Sequence, residues 1–182
     1  MVQPLLITEQ LTPPLPDLTP FAALAFTSGH GVTAFAALTP DRSLPAVCVG
    51  DVTAATARAA GFGPVYSAAG DIGDLVRWLE AAELSGPVLS PGAVDRAGDL
   101  SGLVPDVRVE TLAVYQAVPS RAGPPADIDL ILLHSPRAAR QLAAVWPADR
   151  PLPTLVALSP RWPDRLAGTA RSAWQHIPTK TA

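Results

Sequence analysis

The sequence is short of the residues that most often carry reactive chemistry. Its 182 residues include one cysteine, one methionine and three histidines. A single cysteine allows no disulfide within the chain. Cys48 sits in the apolar run Ala46-Val-Cys-Val-Gly50, where a buried strand thiol is the expected reading. His30, His134 and His176 are scattered, and no His, Asp or Glu pair has metal-site spacing, so no metal is expected. Charge is also sparse, at 16% of residues, and 13 basic side chains do not outnumber 16 acidic ones. A net charge of −3 argues against a nucleic-acid partner, which would want a concentrated basic face. Long apolar runs are missing as well: Thr27, Ser28 and Gly29 interrupt Phe21–Phe26 well before the roughly 18 residues a membrane helix needs. No membrane partner is expected. The opening segment MVQPLLITEQ has neither a basic leader nor a small-residue cleavage site, so a cytoplasmic location is the expectation.

What the chain does have is apolar material, 48% of residues and rich in alanine, enough for a packed core. Its 21 prolines concentrate at residues 12–20, 119–125 and 146–153, which read as connections, the middle cluster being the best linker. The chain also repeats itself. Phe26-Thr-Ser-Gly-His-Gly-Val-Thr-Ala-Phe-Ala-Ala-Leu38 matches Leu133-His-Ser-Pro-Arg-Ala-Ala-Arg-Gln-Leu-Ala-Ala-Val145 in pattern, 107 residues apart. Each copy is an apolar strand that reaches a serine and continues as an alanine-rich helix. A second pair, residues 46–61 against 155–170, follows at an offset of 109. A third strand–loop–helix unit, residues 87–100, has no second copy, and residues 69–84 read as an amphipathic helix with Ile72, Leu75, Val76 and Leu79 on one face. Strands alternating with helices imply parallel sheets with crossover helices. The expected fold class is α/β, with a flavodoxin-like sheet in each half.

In open parallel sheets, ligands bind beyond the carboxyl ends of the strands. Those loops are Thr27–Gly31, Gly50–Thr53, Ser90–Ala93, Ser135–Arg137 and Ser159–Arg161. Their free amides and hydroxyls suit an anion, although each serine or threonine can equally serve only to cap a helix.

At this point the residues resemble the uroporphyrinogen-III synthase family. FTSGHGVTAF is similar to that family's Phe-Thr-Ser-x-x-Gly-Val stretch, VGDVTAATARAAGF to its Val-Gly-x-x-Thr-Ala…Gly-Phe stretch, and GPVLSPGAVDRAGDL to its Leu-x-x-x-Gly strand and helix. VRVETLAVYQAVP resembles the Val-Tyr-x-x-x-Pro segment that returns the chain to the outer domain, and LILLHSPRAARQL the unit that follows. The resemblance implies two flavodoxin-like domains joined by a two-stranded ladder of PLLITEQ with LAVYQAV. Residues 11–112 would form the inserted domain, and residues 1–10 and 113–182 the ladder and outer domain. Against the family pattern, the outer domain is expected to lack its first strand and helix.

The reaction so implied closes a linear tetrapyrrole, hydroxymethylbilane, into a macrocycle with inversion of the last pyrrole ring and loss of water. No cofactor is implied, and a small-molecule tetrapyrrole is the expected partner of a monomer. By resemblance Ser28, Thr53 and Ser135 supply cleft hydroxyls and Gly50 and Gly92 are close-approach backbone positions, while Thr27, Ser90 and Ser159 are further binding candidates from their strand-end loops. Arg137 is a candidate for pairing with a substrate carboxylate, against the plainer reading of a solvated helix-start arginine. Tyr115 is the candidate catalytic acid, since a phenol is protonated at neutral pH, against the plainer reading of a packed strand tyrosine. Two rival readings stand beside this one. A non-catalytic relative would bind a tetrapyrrole or regulate. A dinucleotide-binding protein would use Gly29-His-Gly-Val-Thr-Ala34 as a G-x-G-x-x-A turn, with Asp51 on the ribose.

Overall fold

The computed structural model describes residues 4–96, 98–120, 123–124, 128–133 and 136–157. It is a mixed α/β structure dominated by parallel strands. Contacts divide the chain into two compact units: Thr8–Ala117, and Met1–Ile7 together with Val118–Ala182. Both crossings fall inside strands, β1 (Leu6–Gln10) and β6 (Val109–Pro119). These two are neighbours in the sheet, and the bonds Leu11 N to Val114 O and Ser120 N to Leu5 O make them antiparallel.

Within the larger unit the chain runs β2 (Ala23–Phe26), α1 (Gly29–Leu38), β3 (Ala46–Cys48), α2 (Asp51–Ala59), β4 (Val65–Ser67), α3 (Ile72–Ala81), β5 (Val88–Ala93), α4 (Leu100–Leu103) and β6. Strands β4-β3-β2-β5-β6 pair in parallel in that order. Counted along the chain, this is the doubly wound order 3-2-1-4-5, not the flavodoxin-like 2-1-3-4-5, and it corrects the flavodoxin-like expectation for this unit. The physical reason lies in the crossovers. Two successive steps outward from β2 place α1 and α2 on one face, and the return through α3 to the other side of β2 places α3 and α4 on the opposite face. The core divides accordingly. Leu24 and Phe26 of β2 pack with Val32 and Phe35 of α1 and Ala54 and Ala57 of α2. Ala23 and Ala25, pointing the other way, pack with Leu75 and Leu79 of α3 and Leu100 of α4.

Helix α3 lies within the expected stretch 69–84 and starts at Ile72. Asp71 is its N-cap, accepting from Gly73 N and Asp74 N, while the Asp74 carboxylate accepts from Asp71 N, a reciprocal capping box. The expected Ser90–Ala93 loop is instead part of β5, a correction with a simple cause. Val88 N donates to Arg108 O on the β6 side, so alternate residues of β5 face β6 and Pro91 faces β2. The last registered β2–β5 pair is Leu24 with Leu89, so the N–H that proline lacks falls where the ladder has already ended. Cys48 is fully buried, and burial pushes its thiol up to about 11.

The smaller unit contains β7 (Leu130–Leu133), α5 (Pro136–Val145) and β8 (Thr154–Ala157), with β7 and β8 parallel. Leu133, Ala139, Leu142, Trp146 and Leu155 form its core. The repeat is visible here: β2 with α1 and β7 with α5 have the same lengths and bounds 107 residues apart. Among the described residues no helix is long and apolar enough to cross a membrane.

Helix α1 packs so closely on β5 that a Cβ at Gly31 would stand 2.9 Å from Pro91 O, whereas one at Gly102 would meet nothing within 4 Å. Gly31→Ala is therefore expected to lower the unfolding free energy by about 1–3 kcal/mol. Gly102→Ala is expected to raise it by about 0.4–1 kcal/mol. Urea midpoints at unchanged m-value check both, and equal effects would refute the close packing.

Candidate functional site

Strand order reverses between β2 and β5, because β3 lies on one side of β2 and the chain returns to the other. The loops that leave these two strands therefore diverge, and a crevice opens between them. A cleft of about 470 Å³ occupies this place, lined by Thr27 and Ser28 after β2, Asp95 and Arg96 after β5, Ile72 at the start of α3, and Tyr115 from β6.

Ser28 has an extended backbone, and its hydroxyl accepts from Gly31 N at 3.2 Å as the N-cap of α1. The same oxygen lies 2.9 Å from the Tyr115 hydroxyl. A serine hydroxyl has one donor and two acceptor sites, so it satisfies the helix end and the phenol together. The Tyr115 ring lies 5.8 Å from the His30 ring at a tilt of 49°. A register shift between β5 and β6 precedes Tyr115: Gly92 pairs with Ala113 but Ala93 with Tyr115, leaving Val114 as the extra residue.

Arg96 is the residue that sequence reasoning missed. It is half-buried, and four of its hydrogen bonds fix it: Nε to Ala93 O at 3.1 Å, Nη1 to Ser90 Oγ at 3.1 Å, and Nη2 to Ser90 O at 3.0 Å and Leu112 O at 3.1 Å. All four acceptors are neutral, so these bonds leave the guanidinium charge uncancelled. Burial pulls its pKa below the ordinary value, while Asp99 and Tyr115 pull the other way. The sequence held one faint signal, since Arg96 is the sole basic residue between Arg77 and Arg108.

The structure places the other expected residues variously. Thr27, Ser28 and Tyr115 line the cleft. Ser90 is fully buried, its hydroxyl engaged by Arg96, and Thr53 is buried within α2. Gly50 is the N-cap of α2, where a Cβ would be 3.4 Å from Gly70 O. Gly92 lies under Arg96, whose Cζ would be 3.2 Å from a Cβ. Arg137 is half-buried on α5 of the smaller unit, and Ser135 and Ser159 lie outside the described residues.

The G-x-G-x-x-A reading meets a different geometry. Gly29 is already the first residue of α1, so only Thr27 and Ser28 connect it to β2, and the Ser28 hydroxyl occupies Gly31 N. Asp51 opens α2, its carboxylate accepting from Ser67 Oγ at 2.7 Å. A glycine turn for a pyrophosphate is absent from this connection.

The shared Ser28 oxygen gives a testable coupling. Ser28→Ala is expected to cost about 1 kcal/mol through the lost cap. In a double-mutant cycle with Tyr115→Phe, urea melts are expected to show about 0.5–1.5 kcal/mol of non-additivity. Strict additivity would show that the two hydroxyls do not bond.

Comparison with known proteins fits this geometry. The family model for uroporphyrinogen-III synthase HemD matches residues 1–171. No curated protein matches the chain significantly. Among solved structures, uroporphyrinogen-III synthetase from Helicobacter pylori is similar with a TM-score of 0.63 at 19% identity, covering 84% of this chain and 74% of that one. A mutant uroporphyrinogen III synthase from the extremely thermophilic bacterium Thermus thermophilus is similar with a TM-score of 0.56 at 16% identity, covering 91% and 77%. At these identities the structural likeness speaks for the fold, and the family follows from the match along nearly the whole sequence: the chain belongs to the uroporphyrinogen-III synthase family.

Proposed function

We propose that this chain performs the family's reaction at the β2/β5 cleft, with Tyr115 as the proton donor. Hydroxymethylbilane loses its terminal hydroxyl as water while the carbon that bore it bonds to the substituted α-carbon of the last ring. The bond from that α-carbon to its original methylene bridge then breaks, and the bridge re-bonds to the ring's free α-carbon, which inverts the ring and expels the proton that carbon carried. The Tyr115 hydroxyl gives its proton to the departing oxygen as that C–O bond breaks. The proton released when the ring system regains its conjugation restores the phenol. The observation that carries this reading is the 2.9 Å contact between Ser28 Oγ and Tyr115 OH inside the cleft. Ser28, itself fixed as the helix cap, holds the phenol in one orientation, which is what a competition between two closing positions demands.

Substrate carboxylates would be met by the Thr27 hydroxyl, with Ser28 beside it at the start of helix α1, whose first turn carries no acid. Ser90 and Thr53 are buried, Ser90 bonded to Arg96 of the cleft, and Gly50 and Gly92 are close-packed against Gly70 and Arg96. Ser135, Arg137 and Ser159 are proposed as further carboxylate contacts in the smaller unit. Two α/β domains linked through β1 and β6, a monomeric state and a cytoplasmic location complete the proposal.

Incubation with enzymatically generated hydroxymethylbilane, then oxidation and isomer separation, tests it. The inverted type III isomer is expected, and exclusive formation of the non-inverted isomer by folded protein would sink the reading. Tyr115→Phe is expected to lower kcat by about 10²-fold, the lower end of general-acid contributions. Unchanged kcat would remove Tyr115 from the role.

A further inference from the structure

We propose that Arg96 is a positioning residue that aims Tyr115 into the cleft, by tying β5 to β6 at the register shift that precedes the tyrosine. The proposal rests on the reading of Tyr115 above only where it concerns turnover. The aim of the ring is a structural claim of its own.

Three observations carry it. First, the extra residue Val114 immediately precedes Tyr115, and an extra residue of this kind bends a strand and redirects the side chains beside it. Without it Tyr115 would follow the alternation of Leu112 and Val114 differently, and its ring would leave the face it now occupies. Second, the Arg96 guanidinium spans this place. Its Nη2 joins Ser90 O on β5 to Leu112 O on β6, and its Nε holds Ala93 O, the residue registered with Tyr115. Beyond it Val94 N donates to Tyr115 O at 2.9 Å, so the tyrosine's carbonyl is tied to the segment that Arg96 closes. Third, the chain makes room for this arrangement. Gly92 presents no side chain where the guanidinium lies, and any Cβ there would come within 3.2–3.4 Å of Cζ, Nη1 and Nη2.

The chemistry suits arginine specifically. A planar guanidinium can serve carbonyls on two strands in one plane, whereas an ammonium offers three donors from a single point. Withdrawing a charge from water is costly, and the residue is held below its ordinary pKa by that burial, so the four bonds must be made together for the arrangement to persist.

The test uses the full chain labelled at Cζ of tyrosine with carbon-13. There are two tyrosines, Tyr66 and Tyr115, and Tyr66→Phe assigns the two signals. Tyr66 packs on Trp78 at 5.3 Å, remote in sequence from the β5–β6 pair, and serves as the internal control. Arg96→Met is expected to move the Tyr115 signal and leave that of Tyr66 in place. Gly92→Ala, which keeps the arginine but crowds it, is expected to move the same signal, and either variant decides the matter if the other fails to fold. Arg96→Lys is expected to restore little. In turnover assays Arg96→Met is expected to lower kcat by about 10²-fold with KM little changed, the loss typical of a reacting group displaced by about 1 Å. An unmoved Tyr115 signal in folded variants overturns the proposal. A raised KM at unchanged kcat also overturns it, since that would make Arg96 a substrate contact only. Should the wild-type chain yield no type III isomer, the proposed function fails while the tyrosine signals still report on the positioning.

Discussion

All four residues of β2 are buried, on both faces of the sheet at once. A strand in that situation cannot meet water through its side chains, so each face needs its own helical cover, and the connections can emerge only at the strand ends. Alternation then sorts β2 into two sets. Leu24 and Phe26 demand α1 and α2, and Ala23 and Ala25, being small, allow α3 and α4 to approach from the other side. The chain satisfies both by moving out through β3 and β4 and returning to β5. The same return separates the loops after β2 and β5 and leaves the crevice that Ser28, Arg96 and Tyr115 share.

Polar groups in that crevice serve two ends. The Ser28 oxygen ends a helix and meets a phenol, and the Ser90 hydroxyl, though buried, is satisfied by a guanidinium. Helix α2 shows the contrast. Its start carries Asp51, already engaged with Ser67, so its positive end is met by the chain's own carboxylate. Helix α1 has no such acid and keeps its first turn receptive to anionic groups.

Much of this was written locally in the chain. The repeat at 107 residues marked two strand–helix units of equal length, and Ile72, Leu75 and Leu79 marked α3. Ser28 and Tyr115 were visible as a strand-end hydroxyl and a strand tyrosine. Other features depend on partners far away in sequence. Strand β4 has three residues, too few to show an alternation. The direction of each crossover leaves no periodicity, so the strand order was not legible. Pro91 and Gly92 read as punctuation, yet they continue β5 because β2 no longer needs a donor there. Arg96 escaped notice for the same reason: its value lies in carbonyls of Ser90, Ala93 and Leu112, which converge only after β5 and β6 pair.

Cys48 lies in β3 beneath α2, entirely enclosed, and is the one thiol of the chain. The natural sequence is therefore expected to act as a cysteine-free background toward thiol reagents, because a buried thiol held in its protonated form offers little thiolate to react. A cysteine placed on an exposed position of either unit can be labelled selectively without first removing Cys48 from the sheet. Paired spectroscopic probes, one in each unit, then turn the separation of the two units into a directly measurable distance in solution.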